Sequence, residues 1–152
     1  MTRKFEVLLV EDDERSRRTV QRFLEDSGFS VTGVPDAEKA SALLGERPFS
    51  VAVVDYRLPG KDGITWIEEA RAGAPDMPSI LITAHGDVQS AVRAMKAGAF
   101  QFLEKPIAPA ELVTLIREAC EKERLSHELE ELRRRLDARY GFENIIGQSA
   151  AM

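Results

Sequence analysis

Acids, a lysine and a threonine are spaced in this sequence so that together they could handle a phosphoryl group. Acids cluster near the start, Glu11, Asp12 and Asp13 in "LLVEDDE", and a further carboxylate, Asp55, closes the apolar run of "VVDYRLPGKDG". Thr83 ends "LIT", and Lys105 stands in "FLEKP". Carboxylates that converge repel one another, and a cation offsets the repulsion. With no histidine or thiolate beside them the cation is a hard one. Mg²⁺ fits, because it keeps several waters and takes one or two protein carboxylates plus a phosphate oxygen. A carboxylate free to attack, with a lysine and a hydroxyl for the phosphoryl oxygens, completes the parts needed to form an aspartyl phosphate.

These residues meet only if the chain between them folds back repeatedly. The runs "FEVLLV" (5–10), "FSVTGV" (29–34), "FSVAVV" (49–54), "SILIT" (79–83) and "AFQFL" (99–103) predict strands. Helical spacing separates them. Glu14–Ser27 places Val20, Phe23 and Leu24 on one face, Asp36–Gly45 opens on an N-cap aspartate, Ile64–Ala72 follows a glycine, and Asp87–Ala97 is capped by Asp87 and stops at Gly98. Strand and helix in alternation imply right-handed crossovers and an α/β fold with a mostly parallel sheet covered on both faces. In such a sheet ligands bind beyond the carboxyl ends of the strands where strand order reverses, and the acids after strands 1 and 3 fall there.

From Pro109 the chain predicts one long helix with no glycine or proline until Gly141. Leu112, Leu115, Ile116 and Ala119 form a face that packs on the sheet, whereas Leu125, Leu129, Leu132 and Leu136 recur at coiled-coil intervals and need a second helix. The last stretch, "YGFENIIGQSAAM", has too few apolar partners to fold alone and reads as the beginning of a further segment.

"LLVEDDE", "VVDYRLPGKDG", "LITAHG" and "FLEKP", in this order and at these separations, resemble the receiver domain of bacterial two-component response regulators over roughly residues 4 to 120. The resemblance implies a flavodoxin-like (βα)5 doubly wound sheet in strand order 2-1-3-4-5. It makes Asp55 the phosphoacceptor and Asp12 a direct Mg²⁺ ligand, with Glu11 acting through water and the backbone carbonyl of Arg57 completing the protein's share of the metal shell. Lys105 pairs with the phosphoryl group and is followed by Pro106 in a cis peptide. Thr83 is the switch hydroxyl and Phe102 the switch aromatic. The family often has aspartate where this chain has Glu11, which moves that carboxylate out by one methylene.

"RAMKAGAFQFLEKP", the long charged helix and "FENIIGQSAAM" further resemble σ54-dependent enhancer-binding regulators, in which a receiver is followed by a helical linker and an AAA+ ATPase. That resemblance implies a receiver over 1–120, a coiled-coil linker over 121–140, and the start of a truncated AAA+ domain over 141–152. It also implies a sensor histidine kinase as phosphodonor. With the leucine stripe it further implies a homodimer through Leu125, Leu129, Leu132 and Leu136, to which helix 4, strand 5 and helix 5 could add a surface. No G-x-x-x-x-G-K-[ST] occurs, so enzymatic activity is limited to self-catalysed phosphotransfer and dephosphorylation.

Other readings give way. At 152 residues the chain holds one ordinary domain with a core, and a net charge of -5 argues against coating nucleic acid. One cysteine, Cys120, closes no internal disulfide and reads as packing; no signal peptide or membrane span is present, so a cytoplasmic location is the expectation. Asp13 reads as a helix N-cap or solvated acid ahead of a third ligand, and Asp62 with Gly63 as a turn or cap. His85 and His127 read as solvated, Trp66 and Ile67 as helix packing, and "RRRL" from Arg133 as a solvated coiled-coil flank, since acids and bases balance around it. A phosphatase would want a second acid two residues after its nucleophile, where this chain has Arg57. The remaining alternative is a coiled-coil interaction module with a receiver-like fold that phosphorylation does not regulate, which would have no need of the acids, lysine and threonine together.

Overall fold

The computed structural model describes residues 4–84 and 88–151, with the backbone alone at 88 and from 140 onward. The Asp87 cap and the His85 loop position lie outside the described residues. Strands β1 (Glu6–Val10), β2 (Ser30–Val34), β3 (Val51–Asp55), β4 (Ser79–Thr83) and β5 (Gln101–Glu104) alternate with helices α1 (Glu14–Asp26), α2 (Ala37–Glu46), α3 (Gly63–Gly73), α4 (Val88–Ala97) and α5 (Pro109–Ala151). All strand pairs are parallel and the order is β2-β1-β3-β4-β5. This is the flavodoxin-like sheet the sequence led to.

The interior strands β1, β3 and β4 are largely apolar on both sides because both faces are covered, whereas the edge strands β2 and β5 carry polar positions. Along β1, Val7 and Leu9 join Val20 and Leu24 of α1 and Leu112 and Ile116 of α5, while Leu8 and Val10 face the opposite way, toward Ala37 and Ala40 of α2, Ile64 and Ile67 of α3 and Ala94 of α4. The sheet is a wall between two cores. Trp66 is fully buried in the second of them, and its indole N–H donates to Ser41 Oγ at 3.0 Å, so the polar end of a large ring is satisfied. Cys120 is buried in the first.

Helix starts follow their caps. Asp13, Asp36 and Asp62 accept from the backbone N–H three residues on, at Ser16, Lys39 and Thr65. Several strand boundaries differ from the sequence reading by one or two residues, and two of them have a visible cause or consequence. β3 runs one residue further, so Asp55 is its last residue rather than the first beyond it. β5 begins at Gln101 because Gly98 N–H and Ala99 N–H are used to close α4, bonding Met95 and Ala94 carbonyls around a glycine at φ +104°. α5 also continues past Gly141, where the sequence reading ended it; glycine weakens a helix but keeps its N–H donor.

The chain divides into two compact units, Met1–Cys120 and Glu121–Met152. In the second, Leu125, Leu129, Leu132 and Leu136 are 47–55% exposed, and ion pairs such as Arg124–Glu128 and Arg135–Glu131 lie along the helix at i, i+4. Among the described residues no helix is long and apolar enough to cross a membrane.

Candidate functional site

Three strand ends of the first unit bring their polar side chains together. β1 runs into Glu11 and Asp12, β3 ends in Asp55, and Lys105 follows β5. Carboxylate oxygens of Glu11, Asp12 and Asp55 lie within 4.8 Å of one another. Lys105 Nζ donates to Asp55 Oδ2 at 3.0 Å and to Glu11 Oε1 at 3.2 Å. Asp55 Oδ1 faces the Arg57 amide at 3.4 Å. Asp55 and Glu11 are buried, whereas Asp12 is exposed at the mouth.

Each of these groups is fixed by its backbone. Glu11 N–H extends the sheet by donating to Val34 O at 3.0 Å. Lys105 N–H donates to Thr83 O at 2.7 Å, so the end of β4 sets where the lysine stem begins. The Lys105–Pro106 peptide is cis. Thr83 is the buried last residue of β4, in register with Glu104, and Phe102 lies alongside Leu81 with its ring partly buried against the core on the α4 side. Asp13 is the cap of α1 and stands outside the acidic group.

The electrostatics favour a divalent cation. Burial, then the hydrogen bond and charge of Asp55, push the Glu11 carboxyl up to about 8, against the pull of Lys105. Burial draws the Lys105 ammonium down, but hydrogen bonds and charges from Asp55 and Glu11 outweigh it and hold the pKa above the ordinary lysine value. One ammonium bridges two of the three acids, Asp55 and Glu11. Glu11 Oε2 is buried with no hydrogen-bond partner, the position of an acceptor that a metal-bound water would satisfy. Oxygen donors of this number and kind fit Mg²⁺.

Two contributors escaped the sequence reading. Gly63, read there only as part of a turn or cap, donates its N–H to Tyr56 O at 2.7 Å, and a Cβ on it would stand 2.3 Å from the Asp55 carbonyl oxygen. The first turn of α3 therefore presses directly on the residue that carries the central carboxylate. Tyr56 packs against the core and faces Arg93 of α4 at 3.4 Å, and Arg93 also reaches Asp62 at 3.8 Å. The "DG" pair was the available signal for the first, while nothing local marked the second. Leu125, Leu129, Leu132 and Leu136 are in the other unit and belong to no part of this cluster.

A sheet in this order, with an acidic pair, an aspartate and a lysine at its carboxyl edge, is the architecture of a receiver domain. The chain belongs to the response regulator receiver domain family, whose model matches residues 7–117. It is 39% identical over 146 residues to the C4-dicarboxylate transport transcriptional regulatory protein DctD of Rhizobium meliloti, an alignment covering 96% of this chain and 32% of that protein. The structure of NtrX from Brucella abortus superposes with a TM-score of 0.82 at 30% identity, over 88% of this chain and 30% of that one. A CheY-like receiver domain protein from Methanospirillum hungatei gives 0.78 at 26% identity, over 82% and 99%. The chain thus spans about a third of the length of the curated relative and of NtrX.

Proposed function

We propose that this chain is a phosphorylation-switched receiver that accepts a phosphoryl group on Asp55 from a phosphohistidine of a sensor histidine kinase. The observation that carries the reading is the meeting of Asp55, Lys105, Glu11 and Asp12 at one sheet edge. Asp12, Asp55 and the Arg57 carbonyl would hold Mg²⁺ directly and Glu11 through a water; the ion supplies charge neutralisation for the transferring group. One Asp55 carboxylate oxygen attacks phosphorus in line, the new O–P bond forms as the N–P bond to histidine breaks, and the imidazole leaves with its electron pair. Lys105, already 3.0 Å from Asp55, takes the developing phosphoryl charge.

Thr83 then turns its hydroxyl to the phosphoryl oxygens, Phe102 moves into the space, and the surface of α4, β5 and α5 changes. Full conversion between two states needs about 5.5 kcal/mol of differential stabilisation, within reach of a few charge-assisted hydrogen bonds. The likeness to a transcriptional regulator supports a cytoplasmic role in controlling transcription, with residues 1–120 as receiver, 121–140 as coiled-coil linker in a homodimer, and 141–152 opening an AAA+ domain of a σ54-dependent activator.

Beryllofluoride or acetyl phosphate should modify wild type only with Mg²⁺ and should not modify Asp55→Asn. Modification of the mutant, or of wild type without metal, overturns the assignment. In the same assay Lys105→Ala loses the response to phosphorylation, whereas Thr83→Ala accepts phosphate but leaves the Phe102 ring signals unmoved.

A further inference from the structure

We infer that Arg17 is a positioning residue for the acidic pair, and that Gly33 is bare so that Arg17 can reach it. This rests on the reading of the cluster as a Mg²⁺-dependent phosphoacceptor site.

Arg17 is in the first turns of α1, and its Nη1 donates to the backbone carbonyl of Glu11 at 2.9 Å. Glu11 N–H is already held by Val34 O. Both backbone groups of the residue that opens the acidic segment are therefore tied, one to β2 and the other to α1. Glu11 and Asp12 share one peptide unit, and the oxygen Arg17 holds belongs to it. Fixing that plane fixes where the Asp12 side chain leaves the backbone at the exposed mouth.

The guanidinium arrives there by lying across β2. A Cβ on Gly33 would meet Gln21 Oε1 at 2.8 Å, Arg17 Cγ at 3.1 Å and Arg17 Cδ at 3.2 Å. The arginine stem thus occupies the place of a strand side chain. Gly33 does not have a positive φ, so its backbone accepts any residue and the gap serves the neighbour rather than the chain's own conformation. Val31, two residues before it on the same strand face, packs with Val20 and Leu24 of α1 in the usual way.

Charge and position act in opposite directions. A positive charge near a Mg²⁺ site repels the ion, so if charge dominated, removing Arg17 would tighten binding. If positioning dominates, removal frees the Glu11–Asp12 peptide and weakens binding, by the 10- to 100-fold typical of partners that orient a metal ligand.

The test is Mg²⁺ titration of the full chain by amide NMR shifts at fixed pH. Arg17→Ala should weaken Mg²⁺ binding about tenfold or more, and Arg17→Lys should restore most of the loss. Gly33→Val keeps every charge and suits a strand, yet fills the path of the stem. It should weaken binding like Arg17→Ala, but should add little in the Arg17→Ala background. Gln21→Ala, which removes the other side chain over Gly33, should leave Mg²⁺ affinity in place. Unchanged or tighter binding in Arg17→Ala, or a Gly33→Val effect equal in both backgrounds, overturns the positioning role. Wild type that binds no Mg²⁺ overturns it together with the reading on which it rests. Wild type that binds Mg²⁺ but takes no beryllofluoride overturns only the phosphoacceptor reading.

Discussion

Glu11 carries a cost that the metal would relieve. Its carboxyl keeps a proton up to about pH 8 in the folded chain, against an ordinary value of 4.5. Between those values the folded state binds a proton that the unfolded state has released, so stability is greatest below about 4.5 and falls as pH rises through about 8. Lys105, held above its ordinary 10.5, contributes stability that is lost only at more alkaline pH. Urea unfolding in the presence of a chelator should therefore show a lower midpoint at pH 8.5 than at pH 5.5, a loss on the order of a few kcal/mol. Mg²⁺ should raise the midpoint more at the higher pH, and Glu11→Gln should flatten the metal-free profile. A metal-free midpoint that does not fall between those pH values would show that burial is not what burdens Glu11.

At the level of elements, the strands were legible because parallel strands covered on both faces are written as nearly unbroken apolar runs, and the helices because apolar residues recur at helical spacing, with an N-cap aspartate announcing α2. The convergence of Glu11, Asp12, Asp55 and Lys105 was legible for the same reason, since each stands at the end of such a run. Boundaries were less so. The start of β5 depends on where the Gly98 and Ala99 amides go, a matter of hydrogen-bond competition that composition does not record. Gly63 was visible as a turn signal but its nearness to Asp55 O was not, because a 2.3 Å approach is a property of packed elements. Gly63→Ala should cost about 1–3 kcal/mol by overpacking and displace the Asp55 carbonyl. The urea midpoint reports the first effect, and a reduced rate of phosphorylation by acetyl phosphate the second. Normal stability with normal phosphorylation would mean that α3 can shift its first turn freely.

For the whole molecule the question is what covers the leucines of the second unit. Leu129 and Leu136 fall at a positions and Leu125 and Leu132 at d, with Lys122 and Arg139 interrupting the stripe at either end. Burying them at about 1.5–3 kcal/mol each is comparable to the cost of association, so a seam this short is sensitive to any other surface that joins it. Sedimentation of wild type should show a dimer, and Leu129→Glu with Leu132→Glu, or a chain ending near Glu121, should shift toward monomer. If those variants dimerise as tightly as wild type without beryllofluoride, the leucines are not the seam.

The contacts of Lys105 span the length of the first unit: its partner Asp55 is 50 residues away and Glu11 is 94. During synthesis the acids exist long before the lysine that faces them, and β5, the edge strand that delivers it, is the last of the five strands to be made. A chain whose sheet is incomplete thus has the acceptor without its counter-charge. On the phosphoacceptor reading proposed above, competence to be phosphorylated would then be tied to completion of the sheet, and copies that lack a docked β5 would not respond.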